Sequence, residues 1–214
     1  NYSQMINKTL YGAVAYDQAF GYLSNYDESM PDNVDPKSDG GSYTVAEHKW
    51  DEAFGYFGAR RDFLNPADVG DCIDLTSEHN FGWASYATKR DNDTENIAYR
   101  NGVMFKADIF NAFVAGRAII HNEGTVDELA PHMATIRTRF EQLCAANVVH
   151  YVHSVLNAMG DLTDASDAMS SESENYNKYW SEMRGFIISL QYNVGEVSGG
   201  LTSSQLDDIV AAVG

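Results

Sequence analysis

Three side chains within five positions, His48, Asp51 and Glu52, offer one imidazole and two carboxylates. That donor set suits a divalent metal such as iron, zinc or manganese, or a polar ligand. Calcium is a further candidate, because it takes carboxylate oxygens. The three can act together only on a helix, where residues three and four apart are neighbours. A turn of about 100° per residue then puts His48, Asp51, Glu52 and Gly55 on one face. The competing reading of such a face is a solvated surface or an ion-pair network. Arg117 lies in the strongly apolar run 103–121 and is the candidate counter-charge to Asp51 or Glu52, because burying a cation unpaired is costly. Its alternative is an arginine that snorkels at a helix end. His150 and His153 stand at i, i+3 with no carboxylate at a matching offset, so they read as structural histidines bonded between helices. No G-x-S-x-G, glycine-rich phosphate loop or Cys/His nucleophile pair is present.

The element that must position the first set is a helix over 44–58. Thr44 followed by Glu47 is a capping box, and Trp50, Ala53, Phe54 and Phe57 form one apolar stripe. Upstream, 2–25 reads as a largely apolar core helix and 26–43 as an acidic Pro/Gly/Asp loop long enough for a lid-like crossing. Residues 59–101 read as irregular structure over the bundle, with at most short helices around 81–88 and 97–101. Within them Asp91-Asn92-Asp93-Thr94-Glu95 alternates carboxylates as calcium loops do, but lacks the EF-hand glycine and reads as an exposed polar turn. A helix over 103–121 follows. Thr125 and Glu128 then make a second capping box, opening a long helix from about 126 to 159 that tolerates Pro131 near its start. Along it Asn147, His150, Ser154 and Asn157 form a polar line. After a Ser/Asp/Ala linker over 161–170 come an amphipathic helix over 171–194 and a short one over 202–213. With no strand alternation, the expected fold is all-α, an up-down helical bundle forming one domain over 1–214.

One pattern occurs twice. Trp50-Asp51-Glu52-Ala53-Phe54-Gly55-Tyr56 and Trp180-Ser181-Glu182-Met183-Arg184-Gly185-Phe186 share W-x-E-x-x-G-aromatic. A glycine inside a helix costs about 1 kcal/mol against alanine, so Gly55 and Gly185 both predict close helix approach. The two helices are then pseudo-equivalent, facing each other or a common axis, and Glu182 joins the candidate ligand-binding residues. His48 corresponds to Lys178 and Asp51 to Ser181, which leaves the full polar set to the first copy.

The balance of 14 basic against 31 acidic residues, a net −17 over 214 residues, argues against nucleic acid or an anionic membrane surface as partner. It suits cations, basic partners or a salty medium, and serves solubility in any case. No run of 18 apolar residues exists to span a bilayer, and no signal peptide is seen. The chain opens at Asn1 without Met and is helix-like from Tyr2, as a processed or trimmed product would be. Cys72 and Cys144 have neither C-x-x-C nor metal spacing; a disulfide and two buried thiols both remain open.

The stretch Glu47-His48-Lys49-Trp50-Asp51-Glu52-Ala53-Phe54-Gly55-Tyr56-Phe57-Gly58 resembles the H-x-W-D-E-A-F-G-Y-F-G hallmark of a bacterial cell-envelope family related to the imelysin-like proteins. The segment Asn111-Ala112-Phe113-Val114-Ala115-Gly116-Arg117 and the W-S-E-x-x-G-F-I stretch from Trp180 are similar to it as well. The resemblance implies a helical bundle, an envelope location that is periplasmic, outer-membrane-anchored or secreted, often as a lipoprotein, and a chain that is the C-terminal portion of a longer protein. On the G-x-H-x-x-E motif of imelysin-like proteins, His48 takes the histidine position, Asp51 the glutamate position with Glu52 beside it, and Ala46 the glycine position. Some such proteins are metallopeptidases and others are associated with iron uptake. A zinc peptidase of the H-E-x-x-H kind needs a second histidine one turn on, which His48 lacks. The expected function is therefore a non-catalytic envelope protein binding a metal ion, an iron-containing ligand or another nutrient through His48, Asp51 and Glu52. The alternatives are a metal-dependent peptidase using that face, with Glu52 as base, and a structural or accessory subunit of an outer-membrane assembly, working with other envelope proteins.

Overall fold

The computed structural model describes residues 2–24, 26, 41–64, 80–93, 102–162, 171–193 and 199–213, and the elements among them are all helices. In chain order they are α1 (Tyr2–Leu10), which passes through a π-helical segment (Tyr11–Tyr16) into α2 (Asp17–Leu23); α3 (Val45–Phe57); α4 (Gly82–Asn92); α5 (Phe105–His121); α6 (Val126–Asp161); α7 (Ser171–Ser189), ending in a 3-10 turn (Leu190–Asn193); and α8 (Ser203–Ala212). The fold is an all-α helical bundle, as the periodicity predicts. The chain divides into two compact units, Ala15–Phe140, and Asn1–Val14 together with Glu141–Gly214.

In the unit Ala15–Phe140, α3 begins with the predicted capping box: the Glu47 N–H donates to Thr44 Oγ1 at 3.1 Å and the Thr44 N–H to Glu47 Oε2 at 2.8 Å. It ends at Gly58, whose φ of +81° only glycine holds without strain, and where a β-carbon would collide with the Phe81 carbonyl. Phe57 points inward into a cluster with Tyr16, Phe20, Trp83 and Phe140, the Tyr16–Phe20 rings lying 4.5 Å apart and Phe57–Phe140 5.5 Å. Burying rings of this size is the largest apolar contribution available to the unit.

Among the described residues of 59–101, 59–64 are irregular as expected, but the helix that follows is longer than the short one expected over 81–88. Helix α4 runs on to Asn92 and is part of the core, with Trp83, Ala84 and Ala87 fully buried. Asp91 is no exposed turn residue: its carboxylate accepts from the Phe105 and Lys106 N–H groups at 2.9 and 2.8 Å and caps α5, which has no N-cap side chain of its own. Glu95, the short helix expected over 97–101, most of the 26–43 loop and the 163–170 part of the linker lie outside the described residues.

In the other unit, α1 packs on α7 through its backbone. A β-carbon on Gly185 would sit 2.7 Å from the Met5 carbonyl, and one on Gly12 would sit 2.6 Å from Ser189 Cα. Ser189 Oγ donates to the Lys8 carbonyl at 2.7 Å across the same contact. Tyr151 stacks on Phe186 at 5.8 Å, and Val155, Met183 and Ile187 form a further apolar cluster with Trp180 partly buried against it. Cys144 is a buried free thiol that donates to the Phe186 carbonyl, and Cys72 lies outside the described residues.

Candidate functional site

The site is built from two helices, α3 and α5, that read each other residue by residue. Trp50 is buried at 1% exposure and lies on the α5 backbone, donating its indole N–H to the Phe113 carbonyl at 2.8 Å. Gly116 makes that approach possible: a β-carbon there would overlap the indole, 2.6 Å from Cη2 even before the nearest ring atom is counted. One residue further along each helix, Arg117 Nε donates to Asp51 Oδ1 at 2.9 Å and Arg117 Nη1 to Glu47 Oε1 at 2.6 Å. His121, one turn on, places Nδ1 2.9 Å from the same Glu47 oxygen. Arg117 is thus the counter-charge to Asp51 that the sequence suggests, but its buried partner is Glu47, which the sequence offers only as half of a capping box.

Glu47 is buried at 5% exposure. Burial by itself would raise its pKa, yet the hydrogen bonds from His121, the Thr44 N–H and Arg117 prevail and hold it at about 2. Arg117 shows the reciprocal effect. Its partial burial works against the charge, and Glu47 and Asp51 outweigh that and raise its pKa. Tyr26 closes the far side of Trp50, ring edge to face at 5.5 Å with its hydroxyl donating to the Ala46 carbonyl, and burial beside Asp51 pushes its phenol far up.

The His48/Asp51/Glu52 face therefore divides. His48 Nε2 pairs with Glu52 Oε1 at 3.4 Å, and its ring stacks on Tyr43 at 5.4 Å. Glu52 also lies against Tyr22, whose phenol is pushed up by desolvation and then by that carboxylate. Asp51 goes the other way, to Arg117. Among the described residues no three His, Cys, Asp or Glu side chains are grouped to hold a metal ion. Glu182 belongs to the other unit, where it is buried beside Lys8 at 3.6 Å. The repeated pattern also separates at its glycines, since a β-carbon on Gly55 would meet nothing within 4 Å, while Gly185 is pressed against α1.

Beside the Asp51–Arg117 pair lies an open cleft of about 410 Å³, within the range of ligand sites, about 300–1,000 Å³. Its walls are Trp50, Phe54, Phe110, Phe113 and Val114. The rings are locked edge to face, Phe54 lying 5.9 Å from Phe110 and 5.4 Å from Phe113. Asp51, Arg61 and Arg117 supply its polar groups. The Asp51 side chain is 55% exposed, so the ion pair faces the cleft and solvent rather than the core. Sequence reasoning missed Phe110, Val114 and Arg61 as lining residues. The available signal was Gly116 inside an otherwise apolar helix, which marks a place where a large side chain lies on the backbone.

The family model named domain of unknown function (DUF4856) matches residues 1–213, so the chain belongs to that family. No curated protein and no solved structure matches it.

Proposed function

We propose that this chain is a non-catalytic binding module that holds a small molecule with an apolar body in the cleft between α3 and α5. The observation that carries the reading is the cleft itself, five apolar side chains around one solvent-facing ion pair on the helix of the hallmark stretch. The walls contain no nucleophile, and Asp51 and Arg117 are occupied by each other, so these groups orient a ligand and exclude water from it without attacking it. The reading keeps binding from the sequence-based expectation and moves the ligand from the His48/Glu52 side of α3 to its Phe54 side. The resemblance of residues 47–58 to the imelysin-like envelope proteins supports placing this binding in the bacterial cell envelope.

The test is a fluorescence titration of the purified chain with the neutral aromatic probe N-phenyl-1-naphthylamine, beside Val114→Trp. Val114 is 53% exposed, so a larger side chain there fills the cleft without entering the core. Saturable binding to the native chain that disappears in the variant, with the thermal transition unchanged, is the expected result. No saturable binding to the native chain, or equal binding to both, would overturn the proposal.

A further inference from the structure

We infer that the ligand of this cleft is an amphipathic anion whose acidic group is taken by Arg61; this rests on the binding reading above. The chain has 14 basic residues against 31 acidic ones, so its cations have carboxylates to draw on. The neighbouring Arg60 donates to Asp62 at 2.8 Å, and Arg117 serves two carboxylates at 2.6 and 2.9 Å. Arg61 lines the cleft, is exposed, and has neither an ion pair nor a hydrogen-bond partner among the described residues. Lys106 repeats the pattern nearby. Its ammonium lies over the Phe63 ring at 5.1 Å, Phe63 packs on the wall residue Phe110 at 6.0 Å, and among the described residues no carboxylate pairs with it.

The cleft therefore has two unlike ends joined by aromatic surface. At one, Asp51 and Glu47 share a guanidinium, so an incoming cation meets carboxylates already neutralised by Arg117. At the other, no donor of the Arg61 guanidinium is committed among the described residues, and that fork matches a carboxylate, sulfonate or phosphate group bidentately. An apolar body between Phe54, Phe110 and Val114 with an acidic head at Arg61 satisfies both parts of the cleft at once.

The probes are 8-anilinonaphthalene-1-sulfonate, which carries the anion; N-phenyl-1-naphthylamine, nearly the same body without it; and 1-naphthylmethylammonium, which carries the opposite charge. The native chain is expected to bind the sulfonate about tenfold more tightly than the neutral probe, with the preference shrinking as salt rises. Arg61→Gln should abolish that preference by weakening the sulfonate far more than the neutral probe, while Arg61→Lys keeps part of it. Circular dichroism checks that the variants fold. If the neutral probe binds but Arg61→Gln weakens both probes equally or neither, or if the cationic probe binds best, the anion inference fails and the binding reading stands. If the neutral probe does not bind the native chain saturably, the binding reading itself fails.

Discussion

Gly116→Ala adds one methyl group at the point where Trp50 lies on α5. Two effects oppose each other. An interior helical glycine replaced by alanine gains about 1 kcal/mol of helix propensity. Against that, the new β-carbon would sit 2.6 Å from Trp50 Cη2 and 2.9 Å from Cε2, and the indole is closed in by Tyr26 at 5.5 Å and Phe113 at 5.6 Å, so it cannot simply swing aside. Overpacking of this kind costs about 1–3 kcal/mol. Any shift of the ring also stretches the 2.8 Å bond from Nε1 to the Phe113 carbonyl, worth about 1 kcal/mol. The sum is a net destabilisation of about 2 kcal/mol. Urea unfolding of the full chain, followed by far-ultraviolet circular dichroism, measures it. Two companions make the result diagnostic. Gly55→Ala, where nothing lies within 4 Å, should stabilise by about 1 kcal/mol. In a Trp50→Phe background, Gly116→Ala should lose most of its cost, a coupling of about 2 kcal/mol in the double-mutant cycle. A Gly116→Ala chain as stable as the native one, or a cycle without coupling, would refute the docking of Trp50 on Gly116.

Glu47 has an ordinary pKa of 4.5 and a folded value of about 2, so the unfolded chain binds its proton more readily; the stabilisation is complete above about 4.5 and is lost as pH falls towards 2. Glu47→Gln should be less stable at pH 7 and should show a shallower loss over that acid window in pH-dependent thermal unfolding; an identical slope would remove Glu47 from the account. For the buried pair Lys8–Glu182, Glu182→Leu alone should cost about 3 kcal/mol by removing the Glu182 counter-charge from a buried ammonium, whereas Lys8→Met with Glu182→Leu should unfold in urea close to the native midpoint. Cys144 is fully buried and its thiol is pushed well up by desolvation and by Glu141, so peptide mass spectrometry should find it unmodified after hours of iodoacetamide at pH 8 and modified fully in urea.

What was legible in the sequence was local. Both the Thr44/Glu47 and the Thr125/Glu128 boxes form as read, because each needs only a hydroxyl and a carboxylate three residues apart. The sequence understates the helix Gly82–Asn92 because its start carries no side-chain cap and its buried face mixes Trp83, Tyr86 and Ala87 with Arg90, so no strong apolar stripe marks it. The candidate site was legible in its elements and in Arg117, but not in its partners. Glu47 looked fully explained by its cap because a sequence cannot show that a carboxylate has a second oxygen free for another helix. His48 and Glu52 looked like companions of Asp51 because a helical wheel gives the face and not the direction in which each side chain leaves it. Gly55 and Gly185 look alike in sequence, and only the surroundings distinguish them.

The two oxygens of Glu47 have different employments, Oε2 on the first turn of α3 and Oε1 on the last turn of α5. Helix ends ordinarily fray independently and within fractions of a microsecond. Here opening either end loosens the carboxylate that holds the other, so the start of α3 and the end of α5 should exchange their amide hydrogens as one event. The Thr44 and Glu47 amides would then report on His121, which is 74 residues beyond Glu47 in the chain, with protection that rises and falls together across pH and denaturant.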